Sequence, residues 1–148
     1  MRFYLDSSAL LKRYILERGT ERVEELYLQA LNGEASLHLS TWNIGEALGA
    51  FSKYRRRGWL GDEEHGAARQ AFIMEMTRLI KLGVAELVPV RSSLLAESWP
   101  LVERHDIYQA DALQITSARS VDADELVTGD RRLAEVSEAE AVKATYLG

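Results

Sequence analysis

The stretch Arg2-Phe3-Tyr4-Leu5-Asp6-Ser7-Ser8-Ala9-Leu10 decides the fold. Arg2 to Leu5 is short, largely apolar and followed at once by polar residues, which predicts a strand. Ser8 to Leu16 then reads as a helix, and Gly19 ends it. A strand that passes directly into a helix opens a βα unit. The rest of the chain repeats that alternation. Thr20 is placed to cap a helix to Leu31, with Val23, Leu26, Tyr27, Ala30 and Leu31 on one face. Asn32-Gly33 breaks it.

Ser36 to Leu39 predicts a second strand. Ser40 or Thr41 caps the next helix, which runs to about Arg57 with an apolar stripe of Ile44, Ala47, Leu48, Phe51 and Tyr54. Gly58 and Gly61 bracket a loop, and Asp62 is expected to cap a long helix ending at Lys81-Leu82-Gly83. Glu86 to Val90 predicts the third strand. Ser92 is expected to cap a helix disturbed by Pro100. Ala110 to Ser120 is helical, Glu125 to Thr128 is strand four, and Val142 to Tyr146 is a weaker strand five. Short apolar strands separated by helices imply an α/β fold: a doubly wound, mostly parallel sheet flanked by helices. With no repeats or linkers, 148 residues suit a single domain over 1–148.

Composition narrows the chemistry. There is no cysteine, so disulfides, zinc–thiolate sites and thiol catalysis are excluded. No leader-like apolar segment follows Met1, and no apolar run approaches the roughly 20 residues of a membrane span, so a cytoplasmic protein without membrane contact is expected. The 18 basic and 23 acidic residues leave a net charge of −5. That argues against a surface coated in positive charge for nucleic acid. It leaves room for a carboxylate site, which counts as negative until a cation fills it.

Ligands of parallel sheets bind beyond the C-terminal ends of the strands, where the strand order switches. Asp6 ends strand one and Asp130 lies just past strand four. Each is equally well read as a helix N-cap. Asp111 shares a helical face with Ile115 and Ala118, and a carboxylate on an apolar face is costly unless paired, hydrogen-bonded or bound to metal. Its bland alternative is a first-turn acid complementing the helix dipole. Glu46 lies opposite Ile44, Leu48 and Phe51 and reads equally as solvated. Its neighbours Gly45, Gly49 and Ala50 are small enough to let another backbone or a ligand approach.

Taken together, four stretches resemble the PIN-domain family, and most closely its VapC-like branch, the ribonuclease toxins of toxin–antitoxin pairs. They are Tyr4-Leu5-Asp6-Ser7-Ser8-Ala9-Leu10, Ser40 through Glu46-Ala47-Leu48, Ala110-Asp111-Ala112-Leu113-Gln114, and Leu126-Val127-Thr128-Gly129-Asp130-Arg131-Arg132-Leu133. The resemblance implies a metal-dependent endoribonuclease. Asp6 and Asp111 would be the principal ligands of Mg²⁺ or Mn²⁺, with Glu46 and Asp130 completing the catalytic cluster partly through water. Ser7 and Thr128 match the family's small hydroxyl residues beside the site. It also implies an antitoxin partner laid across the cleft and a homodimer through helices.

For gripping RNA phosphates, the candidates are Arg55 and Arg56 in the densest basic segment, and Arg131 and Arg132 beside Asp130. Arginines at a helix C-terminus also complement the dipole, which is the plain alternative for the first pair. His38, His65 and His105 show no pattern of a histidine-pair ribonuclease. A haloacid dehalogenase-type phosphatase would need a second acid two residues after Asp6, where Ser8 stands. Two further alternatives are an RNA-processing nuclease without an antitoxin and a PIN module that binds RNA or protein without cutting. Metal-dependent cleavage separates that binding module from a nuclease.

Overall fold

The computed structural model of the protein describes residues 1–148. Five strands and seven helices follow in the order β1 (Arg2–Leu5), α1 (Ser7–Leu11), α2 (Thr20–Leu31), β2 (Ser36–Ser40), α3 (Thr41–Arg56), α4 (Asp62–Lys81), β3 (Ala85–Val88), α5 (Ser92–His105), α6 (Gln109–Ser120), β4 (Glu125–Thr128), α7 (Arg131–Ala139) and β5 (Ala144–Tyr146). The strands form one sheet in the order β3-β2-β1-β4-β5, and every pairing is parallel. The chain winds outward from β1 to β3, returns across the sheet, and winds outward again through β4 and β5. The switch of direction therefore falls between β1 and β4.

Strand alternation divides the interior into two cores. Phe3, Leu5, Leu37, Leu39, Ala85 and Val127 face α1 to α4. Tyr4, Val88 and Leu126 face α5 to α7. Both faces are covered, as an all-parallel sheet requires. In the first core, Tyr14, Phe51 and Phe72 meet edge to face, with centroids 5.6 to 6.2 Å apart. No helix is long and apolar enough to cross a membrane.

Several boundaries differ from the sequence expectations. The first helix closes at Leu11, well short of Leu16, and the chain continues in turns to Gly19. Gly19 has φ +95°, and a Cβ there would stand 2.8 Å from that of Leu147. Gly19, not Thr20, is the N-cap of α2, and the Thr20 hydroxyl instead accepts from the Glu17 amide and donates to the Ile15 carbonyl. Asp62 lies inside α4: Gly61 is the cap, and the Glu64 carboxylate reaches back to its amide. Ser92 is likewise the first helical residue of α5, with Arg91 as cap. Pro100 sits inside α5 without ending it, withholding only the N–H that would reach back one turn. The third strand runs from Ala85 to Val88 and stops before Pro89, which has no N–H to extend the ladder.

Candidate active site

The C-terminal ends of β1 and β4 lie side by side, with Leu5 in register with Val127. The residues that follow each strand are therefore brought together. Asp6 is buried and caps α1, its Oδ1 accepting from the Ala9 amide (2.9 Å) and the Ser8 hydroxyl (2.6 Å). The Thr128 hydroxyl donates to Oδ2 at 2.6 Å. Thr128 also accepts from the Asp130 amide, and Ser8 accepts from the Gly129 amide at 2.8 Å. The crossing is tight at Gly129, where a Cβ would stand 2.9 Å from Cε of the buried Lys12 and 3.3 Å from the Ser8 oxygen, so the lysine end would have to move aside.

Three donors fill three of the roughly four lone-pair directions of a carboxylate and leave one open on Oδ2. They favour the charged form, yet burial outweighs them: the Asp6 carboxyl is pushed from 3.8 up to about 6, with a further push from Asp130.

Glu46 is half-buried rather than solvated. Its Oε1 accepts from the Ser7 hydroxyl (3.3 Å) and from Asn43 Nδ2 (3.2 Å), which ties α3 to the β1–α1 junction. Asp111 stands in the first turn of α6, half-buried, and its carboxylate makes no hydrogen bond within the chain. Its pKa is raised, first by burial and then by the charges of Asp130 and Glu46. Asp130 is exposed and caps α7, accepting from the Leu133 amide at 3.2 Å. The cap readings of Asp6 and Asp130 are thus realised, and both acids also feel, or are felt by, another acid of the set. No three Asp, Glu or His side chains stand close enough to hold a metal ion by themselves.

The PIN domain profile matches residues 3–139. The chain belongs to the PIN-domain family. No curated protein matches it. Among solved structures, the chain is similar to PAE2754 from Pyrobaculum aerophilum, at 19% identity and a TM-score of 0.68, over 97% of this chain and 89% of that one. It is similar to Mycobacterium tuberculosis VapC20, a sarcin-ricin loop cleaving toxin, at 16% identity and a TM-score of 0.61, over 93% and 94% of the two chains. It is also similar to VapBC2 from Rickettsia felis, bound to a DNA fragment from their promoter, at 15% identity and a TM-score of 0.63, over 100% of both. At these identities the likeness is one of fold.

Beneath the acids of this PIN domain lies a buried polar network that sequence reasoning missed. The Tyr4 hydroxyl donates to Gln114 Oε1 at 2.7 Å, and Asn43 Nδ2 donates to the same oxygen at 3.0 Å. Asn43 Oδ1 accepts from the Ser40 amide at 2.8 Å, within the capping box of α3. Gln114 Nε2 closes the network on the Ala110 carbonyl. The Tyr4 phenol feels the charges of both Asp6 and Glu46, though burial is the main reason its pKa is raised. The signal was present as polar residues inside apolar runs: Gln114 between Leu113 and Ile115, and Asn43 in a helix it disfavours. Ser8 was also missed, overshadowed by Ser7, although Ser8 is the serine that touches Asp6.

Asn43→Ala should lower stability by about 2 kcal/mol, because the Ser40 amide loses its partner while buried. Chemical denaturation measures this. A loss under half a kilocalorie would mean that water replaces the amide freely.

The arginine candidates fall into two groups. The Arg131 guanidinium lies 4.9 Å from the centre of the Tyr146 ring, and Arg132 donates to the His105 carbonyl at 2.9 Å. Both flank Asp130. Arg55 and Arg56 are exposed in the last turn of α3 and have no ion-pair partner. At the rise of an α-helix they lie about 14 Å along the axis from Glu46. Gly45 and Gly49 bring no other backbone close, since a Cβ at either would meet nothing within 4 Å.

Proposed function

We propose that this chain is a metal-dependent endoribonuclease, a single PIN-like domain over residues 1–148 whose catalytic set is Asp6, Glu46, Asp111 and Asp130. The observation that carries the reading is the half-buried Asp111 carboxylate, which has no hydrogen bond within the chain and is raised in pKa by burial and then by the charges of Asp130 and Glu46. A half-buried acid beside other acids costs the fold more than the helix dipole returns; a cation or its waters would give it a partner.

The donors suit Mg²⁺ or Mn²⁺, since all are hard carboxylate oxygens and neither cysteine nor histidine joins them. Lack of a three-residue cluster is compatible with Mg²⁺, which commonly takes one or two protein carboxylates and fills its shell with water and substrate phosphate. Asp6, through its free Oδ2 direction, and Asp111 would hold the ion directly. Glu46 and Asp130 would reach it through water. Such an ion supplies electrophilic stabilisation at the phosphodiester and an acidified water for in-line attack.

The chain's own residues do the positioning. Ser8, Thr128 and the Ala9 amide lock the Asp6 carboxylate in one orientation. Ser7 and Asn43 hold one oxygen of Glu46 beside the β1–α1 junction. Glu46 or Asp130 would accept a proton from the attacking water. Arg131 and Arg132, beside Asp130, would contact RNA phosphates, with Arg55 and Arg56 as a more distant pair.

We further read the protein as the toxin of a toxin–antitoxin pair, supported by the likeness to the toxin VapC20. On that reading an antitoxin segment covers the acids, and two copies of the chain associate through helices.

Incubating the purified protein with structured RNA in Mn²⁺, and in parallel with excess EDTA, tests the nuclease. Internal cuts in Mn²⁺ and none in EDTA are expected. Equal cleavage in both would refute metal dependence, and cleavage in neither would leave a binding module.

A further inference from the structure

Two large exposed aromatic residues stand about one helical turn from acids of the set. Tyr108 is 83% exposed at the N-cap of α6. It provides no side-chain cap, and Ser, Thr, Asp or Asn would serve that position better. Trp42 is 49% exposed in the first turn of α3. Neither the phenol nor the indole N–H has a partner in the chain. Trp59, also exposed, is different: it stacks on Tyr54 and carries the Arg57 guanidinium over its face.

Their spacing is what gives the two rings meaning. Trp42 precedes Glu46 by four residues on α3, and Tyr108 precedes Asp111 by three on α6. Residues so spaced are neighbours on one helix face, and helical side chains lean toward the N-terminus, so each acid leans toward its aromatic residue. The first turn of α3 is tied to the middle of α6 by the 3.0 Å Asn43–Gln114 bond. Beside Trp42 on the same face of α3 are Gly45 and Gly49, where a side chain has room but none is present. That face is open to a flat ligand lying against the helix.

We propose that Trp42 and Tyr108 are stacking platforms for unpaired bases of the RNA held at the carboxylates. The inference rests on the reading of the acids as a phosphodiester site. Bases inside a duplex have no free faces to offer, whereas those of single strands and loops stack readily on aromatic side chains. A protein segment is the less favoured occupant: peptide recognition needs pockets for alternate side chains, and these are isolated rings beside an open glycine surface.

The test is binding, so it does not depend on cleavage. A short fluorescent single-stranded RNA of mixed sequence and the same sequence as a duplex are titrated in Ca²⁺, against the parent, Trp42→Ala, Tyr108→Ala, Tyr108→Phe and Gly45→Leu. All five should melt as folded proteins, since the altered positions are exposed. The parent should favour the single strand by tenfold or more. Each alanine variant should lose roughly five- to a hundredfold in single-strand affinity. Tyr108→Phe keeps the ring and should stay within about twofold, while Gly45→Leu fills the open face and should weaken binding about tenfold. Parent-like binding by both alanine variants would overturn the proposal, as would equal affinity for duplex. Alanine variants that bind RNA normally but lose a co-purifying protein partner would also overturn it, in favour of a protein surface. If the ring dependence holds but no RNA is ever cut, the platforms stand and the nuclease reading falls. If cutting is found without ring dependence, the reverse is true.

Discussion

Asp111→Asn should lower RNA cleavage by about two to three orders of magnitude while leaving the metal-free protein as stable as the parent, or more so. Under the nuclease reading, the size of the first effect follows from losing a direct ligand to an ion that would contribute several kcal/mol of transition-state stabilisation. The sign of the second follows from what surrounds the side chain. A first-turn acid gains about 0.3–1 kcal/mol from the helix dipole. Against that stand burial, Asp130 and Glu46, and the raised pKa of Asp111 shows that the opposing effects win. The asparagine keeps the shape and drops the charge, and no hydrogen bond within the chain is broken. Initial cleavage rates in Mn²⁺ and thermal melts in EDTA measure the two halves separately. A variant that cleaves at the parental rate would remove Asp111 from the site. A variant that melts well below the parent without metal would make Asp111 a structural residue after all.

The second large effect is a reversal of pH dependence by metal, centred on Asp6. Its carboxyl titrates near 3.8 in an unperturbed chain and at about 6 when folded. The folded protein thus binds this proton more tightly than the unfolded chain does. Its contribution is most favourable below about 3.8 and is lost as pH rises through about 6. The shift of about two units corresponds to roughly 3 kcal/mol between those limits. Asp111 is displaced in the same direction. Glu140 works the other way, because hydrogen bonds from His105 and Arg104 hold its pKa down.

Comparing the parent with Asp6→Asn isolates the Asp6 contribution. The asparagine is tolerable: its oxygen can keep the Ser8 and Ala9 donors, and the Thr128 hydroxyl can turn to accept from the new amide. In EDTA, the parent should lose stability relative to the variant between about pH 4 and pH 6.5. In Mn²⁺ at neutral pH, at a thousandfold excess over Kd, the order should reverse, since an ion that binds only the folded parent then adds about 4.1 kcal/mol, more than the roughly 3 kcal/mol lost. Denaturant titrations across pH, with and without metal, provide the curves. Parallel curves for the two proteins in EDTA would mean that burial does not perturb Asp6. Identical Mn²⁺ shifts would mean that Asp6 is not a ligand.

The fold was legible because its signals were local and repeated. Each strand is a short apolar run, each helix has a phase, and parallel topology follows from their alternation. The errors were also local. Thr20, Asp62 and Ser92 all have the chemistry of caps, but a cap is decided by where the backbone turns, and each lies one residue inside its helix. Pro100 was expected to disturb α5, yet flanking turns carry the helix through it.

The site was legible in part. Asp6 and Asp130 were visible as acids just past strands, and Asp111 as an acid on an apolar face. Glu46 looked solvated because helical phase relates a residue only to its own helix. Its partner Ser7 comes from a different element, 39 residues away. For the same reason Ser8 was overlooked: its contacts with Thr128 and Gly129 span about 120 residues and leave no trace in local pattern.

That long span also sets when the site can exist during synthesis. The Asp6 carboxylate takes its third hydrogen bond from Thr128, 122 residues later, and β1 has no neighbour on that side until β4 arrives. A chain emerging from the ribosome N-terminus first carries Asp6, then Glu46, then Asp111, without the strand that completes their frame. Contacts so distant in sequence also form slowly, because the loop between them must close first. Ribosomal RNA is the nucleic acid nearest to a growing chain. Under the nuclease reading, the growing chain beside it would carry three of the acids before the strand that frames them has been made.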